Sequence, residues 1–379
     1  MHYSTLDYLN VVAAYLPARL VSPQTVARVS ELAAALPPSS NFGFECKLGS
    51  QAPDADFLVA VIAADGSRGA WAGENPLALP AVPLFHPIWR KVQEVLADWH
   101  RGGDGLEPIH DSWLEFDIQA GGPVLPVPSF FFGFDDAAAC SHPRLAEALI
   151  ERLLGRPLSS GKRLKLRACY AALPPRAVIF EVGVMLARTS DAVRLCIRGL
   201  MPEQIVTYLQ EICWPGSSQE LCRQIEGLEP LADAISLDLT VDETVQSQIG
   251  LECSIYDGPA GRARLQALLE YLSKTGACLP EKREALLSWL GYCTEQSDRL
   301  QWPAHLLKAS VAFGKEVLST FARTVNHLKI GYQSGDLITA KAYLGVRHFW
   351  AAAVSQEPGH DGIGTPALLS ATRARRGKQ

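Results

Sequence analysis

The sequence lacks several features that mark common classes of protein. Its nine cysteines are scattered, odd in number and never spaced Cys-x-x-Cys, so they do not follow the ligand spacing of structural zinc sites. No apolar run reaches the roughly 18–20 residues that a membrane-spanning helix needs. The first twenty residues lack the basic region and cleavage site of a signal peptide. These absences predict reduced, mostly buried thiols and a cytosolic protein.

Charge of one sign is also lacking. The net charge of -5 and the pI near 6 give no overall attraction to nucleic acid or to an anionic membrane. The sequence contains no glycine-rich phosphate loop and no Gly-x-Ser-x-Gly elbow. What it does have is length and apolar content: 379 residues, 48% of them hydrophobic, which suffice for one large domain or two ordinary ones.

A unit of two strands followed by a helix recurs along the chain. The strands are short and rich in Val, Ile and Phe, and the helices carry apolar residues at i, i+3, i+4 and i+7. The predicted strand pairs are 41–49 with 54–66, 111–119 with 126–134, 176–188 with 192–200, 233–241 with 247–256, and a last hairpin at 328–346 around Ser334–Gly335. The predicted helices are 86–102, 142–155, 202–214 with a further short one, 261–276, 280–291 and 302–325.

Successive residues of a strand face opposite sides, and here the two sides differ. One side is apolar, as in Leu114, Phe116 and Ile118 or Leu237, Leu239 and Val241. The other side is polar and carries Glu45, Lys47, Glu115, Asp117, Glu181, Arg194, Arg198, Asp238, Glu252, Lys329, Lys341 and Tyr343. An open α+β sheet with one solvated face would fit this pattern. Ten strands would also fit a closed antiparallel barrel with a polar lumen, which removes the sheet edges.

We therefore predict an α+β fold: a ten-stranded antiparallel β-barrel of five repeated ββα units with the helices outside. Residues 1–40 form an N-terminal helical segment packed on the barrel, and residues 41–353 form one barrel domain. Residues 354–379, which contain the basic run TRARRGK, form a disordered tail. The basic run Ser159–Arg167 is interpreted as a solvated loop.

This pattern resembles the prenyltransferase barrel of the ABBA family, which includes indole and cyanobactin peptide prenyltransferases. The resemblance extends from about residue 41 to residue 350 and lies in architecture and strand patterning. In that family, strand-borne basic residues and tyrosines bind a prenyl diphosphate, often with a basic residue two positions before a tyrosine, as in Lys341-Ala342-Tyr343. The resemblance implies diphosphate binding by Lys47, Arg194, Arg198, Lys329, Lys341 and Tyr343. It also implies that Glu45 orients the acceptor or accepts its proton.

The chemistry that these residue types favour is consistent with that role. A diphosphate needs clustered cations, and such a clamp would assist departure of the leaving group. The remaining carboxylates, Glu115, Asp117, Glu181, Asp238 and Glu252, line the predicted lumen, and Glu115 with Asp117 would suit Mg²⁺. Since Asp135 and Asp136 are not part of a DDxxD motif, a helical metal-diphosphate site is not expected. Ion pairing between the cations and these carboxylates is the alternative.

Three functions therefore remain open from the sequence. The first is transfer of an allylic group from a prenyl diphosphate to an aromatic or peptide acceptor, with no tightly bound cofactor and with Mg²⁺ optional. The second is a non-prenylating tailoring enzyme or substrate-binding partner of the same fold in the biosynthesis of ribosomal peptide natural products. Its acidic lumen would bind a basic side chain or peptide. The third is a structural α+β protein without chemistry. The oligomeric state is left open.

Overall fold

The structure of the chain is a computed structural model. It describes residues 3–63, 67–73, 86–103, 105–134, 142–188, 190–256, 260–297, 301–314, 317–333 and 336–352. The predicted turn at Ser334–Gly335, the paired aspartates Asp135 and Asp136 and the predicted tail therefore lie outside the described residues.

The described residues form eleven strands and eleven α-helices, mostly as pairs of strands separated by one or two helices. The strands are β1 (Asn41–Lys47), β2 (Ala55–Ile62), β3 (Ile109–Phe116), β4 (Ser129–Phe134), β5 (Val178–Val184), β6 (Val193–Arg198), β7 (Ala234–Val241), β8 (Val245–Ser254), β9 (Gly291–Thr294), β10 (Val317–Gln333) and β11 (Asp336–Ala352). The helices are α1 (Thr5–Ala13), α2 (Pro23–Ala35), α3 (Ser67–Trp71), α4 (Pro87–His100), α5 (Pro143–Leu154), α6 (Ser160–Ala171), α7 (Pro202–Glu211), α8 (Ser218–Leu228), α9 (Gly261–Lys274), α10 (Pro280–Trp289) and α11 (Ala304–Phe313).

Ten of these strands form a closed antiparallel barrel. The pairing order runs from β11 through β1 to β8 in sequence and then to β10, and β10 pairs with β11 to close the circle. Every pairing is antiparallel. The short β9 lies outside the circle, against the first half of β10. The predicted ten-stranded barrel with helices outside is confirmed, and the open-sheet alternative is not observed.

The apolar side of each strand faces the helices. Leu114, Leu239 and Ile330 are fully buried, in one core cluster with the helix residues Leu265 and Leu269. The N-terminal helices join the same cluster through residues such as Leu9 and Val29. Burial of apolar surface is worth about 25 cal/mol per Å², so this layer between helices and strands is the main source of stability and fixes which side of each strand faces inward.

The last hairpin is longer than predicted. The helix expected over 302–325 is wrong in its second half, because α11 ends at Phe313 and β10 begins at Val317. Gly314 follows the helix with φ +87°, a conformation that suits glycine and ends the helix. The next residues, VLSTFARTV, are rich in β-branched side chains and pair with both β9 and the end of β11.

Two further local interpretations were wrong. Helix 280–291 stops at Trp289, and Gly291 opens the unpredicted strand β9. The basic run Ser159–Arg167 is not a loop but most of α6. Its Arg163 and Arg167 bind the carboxylates of Glu151 and Glu147 on the neighbouring helix α5. Leu166 is buried beneath them, so the basic run is one face of an amphipathic helix.

Two lumen-facing glycines make room for large side chains inside the barrel. A Cβ atom on Gly250 would lie 2.7 Å from Cε of Lys329, and one on Gly183 would lie 2.3 Å from the ring of Phe131. Both distances are below the normal contact distance. The aliphatic part of Lys329 therefore packs over Gly250, and the ring of Phe131 packs over Gly183.

Two properties of the whole described chain bear on the sequence analysis. None of the eight cysteines that lie within the described ranges forms a disulfide, and six of them are buried. None of the helices in the described ranges is both long enough and apolar enough to cross a membrane.

Candidate functional site

Four strands bring a buried ion-pair cluster together inside the lumen. Lys329 of β10 lies between two carboxylates: its Nζ donates to Asp238 of β7 and lies 3.3 Å from Oε1 of Glu252 on β8. Asp238 also forms an ion pair with Arg194 of β6, with 3.5 Å between Nε and Oδ2. Burial opposes ionisation of Asp238, but Arg194 and Lys329 outweigh it and lower the pKa of this carboxyl. The cluster therefore stays charged at neutral pH.

A second cluster forms where β1 meets β11 and the barrel closes. Glu45 accepts hydrogen bonds from Nζ of Lys341 and from the hydroxyl of Tyr343, one on each carboxyl oxygen. Burial would raise the pKa of Glu45, but the charge and hydrogen bond of Lys341 and the hydrogen bond of Tyr343 lower it to about 2. A carboxylate with so low a pKa is a weak proton acceptor. This geometry favours a positioning role for Glu45 over proton abstraction.

One end of the lumen opens into a cavity of about 280 Å³ with an excess of positive charge. We call it the cationic mouth; four basic residues line it: Arg188, Arg194, Lys329 and Lys341. Asp238 is the single carboxylate among its lining residues. Apart from Met185 and Ile249, the remaining wall is made of small or neutral polar groups, including Thr240, Gln246, Gln248 and Thr339.

The opposite end of the lumen opens into a cavity that is lined mainly by carboxyl groups and aromatic rings. We call it the acidic mouth, a cavity of about 330 Å³ lined by His110, Asp111, Trp113, Gly133, Phe134, Phe180, Glu181 and Arg198. The guanidinium of Arg198 lies 4.8 Å from the centre of the Phe180 ring, a cation–π distance. Burial, with the neighbouring Asp111 second, raises the pKa of Glu181 to about 8, and burial likewise raises the pKa of Asp111.

Two arginines of β6 show that the two mouths lie at opposite ends of the lumen. Arg194 is near the start of this strand and lines the cationic mouth, whereas Arg198 is its last residue and lines the acidic mouth. Four residues of strand cover about 13 Å. Of the predicted diphosphate ligands, Arg194, Lys329 and Lys341 thus converge on one cavity, and Arg198 is directed to the other.

Three other predicted residues line neither mouth. Lys47 is exposed at the end of β1 and is not among the lining residues of either mouth. Asp117 lies just beyond β3, where one of its carboxyl oxygens is 3.6 Å from Nη2 of Arg188. Tyr343 lies in the lumen with its ring stacked on His327, with 4.2 Å between ring centres.

The potential metal ligands that come together in the lumen are not the two carboxylates suggested for Mg²⁺. Among the described residues, the one group of three potential ligands within reach of a common ion is Cys196, Asp238 and Glu252. It includes neither Glu115 nor Asp117, and Nζ of Lys329 already binds two of its members. This cluster is therefore an ion-pair site, since the ammonium group takes the place a cation would take.

Sequence reasoning missed Arg188, which lines the cationic mouth. Arg188 follows the end of β5 in a turn, where the strand alternation no longer reports which way a side chain faces. His327, which lies just before the predicted hairpin, is two residues before Lys329 and shares its face, and its ring stacks on Tyr343. Burial lowers the pKa of His327, which keeps its imidazole neutral.

Comparison with known proteins yields a likeness of fold only. No protein-family model matches the sequence, and no curated protein matches it. Among solved structures, the chain is similar to a 6-dimethylallyl tryptophan synthase at 13% identity and a TM-score of 0.47, over 91% of this chain and 97% of the other. Two structures of 5-dimethylallyl tryptophan synthase from Streptomyces coelicolor, one in complex with DMASPP and Trp, are similar at 14% and 15% identity.

The coverage of these two structures is equally broad. Each spans 90% of this chain, with 95% and 93% of the other chain and TM-scores of 0.49 and 0.46. At such identities and scores the likeness carries no argument about chemistry, and the barrel topology established above stands on the strand pairing alone. The chain is thus a ten-stranded, helix-covered barrel that is similar in fold to dimethylallyl tryptophan synthases.

Proposed function

We propose that the protein is a transferase that binds an allylic diphosphate at the cationic mouth and transfers the allylic group to an acceptor in the lumen. The observation that carries this proposal is the charge of the mouth: four cations and one carboxylate line a single cavity. A diphosphate has several negative charges at neutral pH and binds best to clustered arginine and lysine side chains. The volume of about 280 Å³ suits a small ligand.

The residues of the mouth would act on the leaving group. Arg188, Arg194 and Lys341 would bind the diphosphate oxygens, and their charge would stabilise the negative charge that develops as the allylic C–O bond breaks. The bond electrons leave with the diphosphate. The allylic carbon then bonds to a nucleophilic atom of the acceptor, which finally releases a proton.

The lumen wall would restrict where the reaction takes place. Phe131 covers Gly183 and is not part of the core between strands and helices, so its ring is free to contact an allylic chain. Tyr343 and His327 stack beside the Glu45 cluster. Aromatic faces stabilise a nearby cation, and these rings would shield an allylic cation from water. Glu45 would hold Lys341 and Tyr343 in place.

A matched pair of arginines on one strand tests the diphosphate site. Arg194→Gln removes a cation from the cationic mouth, whereas Arg198→Gln removes one from the acidic mouth. By isothermal calorimetry with dimethylallyl diphosphate, we expect Arg194→Gln to weaken binding about 10- to 100-fold, as loss of a charged hydrogen bond does. Arg198→Gln should change it less than about threefold, by the additivity of distant sites.

The result that would overturn the proposal is also clear. No binding of dimethylallyl diphosphate by the wild-type protein at millimolar concentration, or equal losses in the two variants, would remove the diphosphate site. A thermal unfolding curve of each variant without ligand serves as the control, because Asp238 keeps Lys329 as a partner when Arg194 is replaced.

A second function is favoured by a different observation. Within the described lumen, Arg194, Lys329 and Lys341 each already have a carboxylate partner. A protein whose cations are neutralised in this way would act as a binding or tailoring protein for a basic side chain or peptide, with the lumen carboxylates as ligands. Binding of a basic peptide without any binding of dimethylallyl diphosphate would support this function over prenyl transfer.

A further inference from the structure

A third cavity lies between α2 and the loop 117–128 that joins β3 to β4. It has a volume of about 250 Å³, and we call it the side cavity. Most of the side chains that line it are apolar, including Leu32, Ile118, Pro123, Val124, Pro126 and Val127. None of these six residues lines either mouth. An apolar cavity of roughly 150 Å³ can hold a benzene molecule, so the side cavity is large enough for a branched or aromatic side chain.

The loop that forms the side cavity is held by side chains from two helices. Arg28 of α2 donates to the carbonyl groups of Gly122 and Pro123. Trp89 of α4 donates through Nε1 to the carbonyl group of Pro126, at 3.2 Å. These contacts fix the loop from both sides, so the cavity is preformed, as is usual for sites that bind small groups.

The side cavity and the cationic mouth share a wall. Ala187 lines the side cavity, and Arg188, the next residue, lines the mouth. Asp117 also lines the side cavity and forms the 3.6 Å ion pair with Arg188. The two side chains are 30% and 41% exposed, and pairs as exposed as this contribute little to stability. Because consecutive residues are only about 3.8 Å apart, a ligand chain of a few residues would reach from the mouth over this pair into the side cavity.

The charged groups of the side cavity already have partners within the protein. Arg28 binds the two loop carbonyl groups and Glu31, and Asp117 pairs with Arg188. The cavity therefore suits a neutral apolar group better than an ion. None of the described residues that line it has an aromatic ring, so it lacks the groups that would shield an allylic cation. Its occupant is therefore a part of the acceptor and not the prenyl chain.

We propose that the side cavity binds an apolar side chain of a peptide acceptor whose reactive residue reaches the lumen through the cationic mouth. This inference rests on the proposed function, since it takes the mouth as the place where the two substrates meet. The apolar lining would contact the side chain. The amide of Gln119, which also lines the cavity, would bind the peptide backbone as donor and acceptor. A free amino acid is too short to occupy both the lumen and the side cavity.

Two charge insertions in one loop form a matched test. Val124 lines the side cavity and is 51% exposed. Ala120 is exposed in the same loop and is not among the lining residues. Val124→Asp and Ala120→Asp therefore add the same charge to the same loop, but only Val124→Asp adds it to the cavity. A thermal unfolding curve of each variant without ligand checks that both fold as the wild type does.

The probes are two peptides of similar shape, acetyl-Gly-Leu-Trp-Leu-Gly-amide and the same peptide with asparagine in place of both leucines. They are titrated by calorimetry into the protein loaded with an unreactive thiolo analogue of dimethylallyl diphosphate. In the wild type and in Ala120→Asp, we expect the leucine peptide to bind about 10-fold more tightly, because a leucine side chain is buried. In Val124→Asp this ratio should fall below about threefold, because the leucine would lie against a charge.

A third peptide tests whether one ligand occupies both places. Replacing the central tryptophan of the leucine peptide with glycine should weaken its binding to the wild type about 10-fold, because the aromatic group in the lumen is lost. A leucine-to-asparagine ratio near 1 in the wild type, no binding of either peptide, equal ratios in the two variants, or no effect of the tryptophan would overturn the proposal.

Failure of the proposed function gives a different result. Binding of the diphosphate analogue is measured first, without a peptide. If the analogue binds and the leucine preference is absent, only the role of the side cavity is overturned. If the analogue does not bind but the leucine preference is present and is lost in Val124→Asp, prenyl transfer is overturned and the side cavity is kept as a peptide site.

Discussion

The two mouths of the barrel are built from the same ten strands but carry opposite chemistry. At the cationic mouth, the carboxyl of Asp238 lies among cations that lower its pKa. At the acidic mouth, burial and Asp111 raise the pKa of Glu181 to about 8. One end is therefore suited to an anion and the other to a cation or a neutral ring. Both kinds of end can be built from the same strands, because the first and the last inward-facing residues of a strand lie at opposite mouths.

The largest expected effect comes from removing the cation at the centre of the ion-pair cluster. Lys329→Met leaves Asp238 and Glu252 buried without their shared ammonium group. We expect a loss of about 3–5 kcal/mol of unfolding free energy at pH 7, which is the cost of breaking a buried pair. Urea unfolding followed by circular dichroism measures it.

The same mouth offers a matched control for this loss. Arg188 is 41% exposed in its side chain and pairs with Asp117 at 3.6 Å, so Arg188→Met should cost at most about 1 kcal/mol, as exposed pairs do. Equal losses in the two variants would mean that the buried cluster is no stronger than a surface pair.

The next effect concerns the closure of the barrel. Glu45→Gln keeps the shape of the side chain but removes the charge that Lys341 and Tyr343 bind. With a pKa lowered to about 2, Glu45 contributes stability above its unfolded pKa, near 4.5, and this contribution is lost as pH falls towards 2. The variant should thus be less stable by about 2–3 kcal/mol at pH 7.

The measurement is a series of urea unfolding curves from pH 7 down to pH 2.5. The difference between wild type and Glu45→Gln should shrink steadily as the pH falls. A difference that stays constant over this range would show that the charge of Glu45 is not what stabilises the junction of β1 and β11.

The smallest effect has the opposite sign and belongs to the acidic mouth. Folded Glu181 keeps its proton up to about pH 8, whereas the unfolded carboxyl loses it near pH 4.3. The wild-type protein therefore loses stability as pH rises between these values. Glu181→Gln should remove this loss and be more stable by about 1–2 kcal/mol at pH 9, with no difference at pH 4.

Thermal unfolding across this pH range checks the expectation for Glu181. A Glu181→Gln protein that is less stable than wild type at pH 9 would contradict it, because it would mean that the ionised carboxylate has a stabilising partner. Together with Glu45→Gln, the pair tests whether the two carboxyl groups change stability with pH in opposite directions.

The fold was largely predictable because its signal is local. Alternation in VRLCIR and in KAYL places Arg194, Lys341 and Tyr343 on one side of their strands, and the core on the other side fixes that side as the lumen. The partners of these residues were not predictable. Which carboxylate meets Lys329 depends on the register of β7, β8 and β10, and register is set by pairing between distant segments.

The failures of prediction have the same cause. Residues 317–325 follow an apolar helix and read as its continuation until their pairing with β9 and β11 is known. The assignment of Arg198 to the same cluster as Arg194 failed because spacing along a strand is also distance along the barrel axis. The alternation within one strand shows which side of the sheet a residue faces. Its position along the lumen depends on how the strands pair in the barrel.

The long hairpin of β10 and β11 has a consequence for how the barrel folds. The carboxyl of Glu45 and the hydroxyl of Tyr343 are 298 residues apart in sequence, and contacts of such separation form slowly because the connecting chain must first be ordered. The 17-residue strands of the hairpin instead pair locally and are expected to form early. β1 would then pair with the edge of β11. The pairing of β1 with β11 and the formation of the Glu45 cluster would therefore occur together, late in folding.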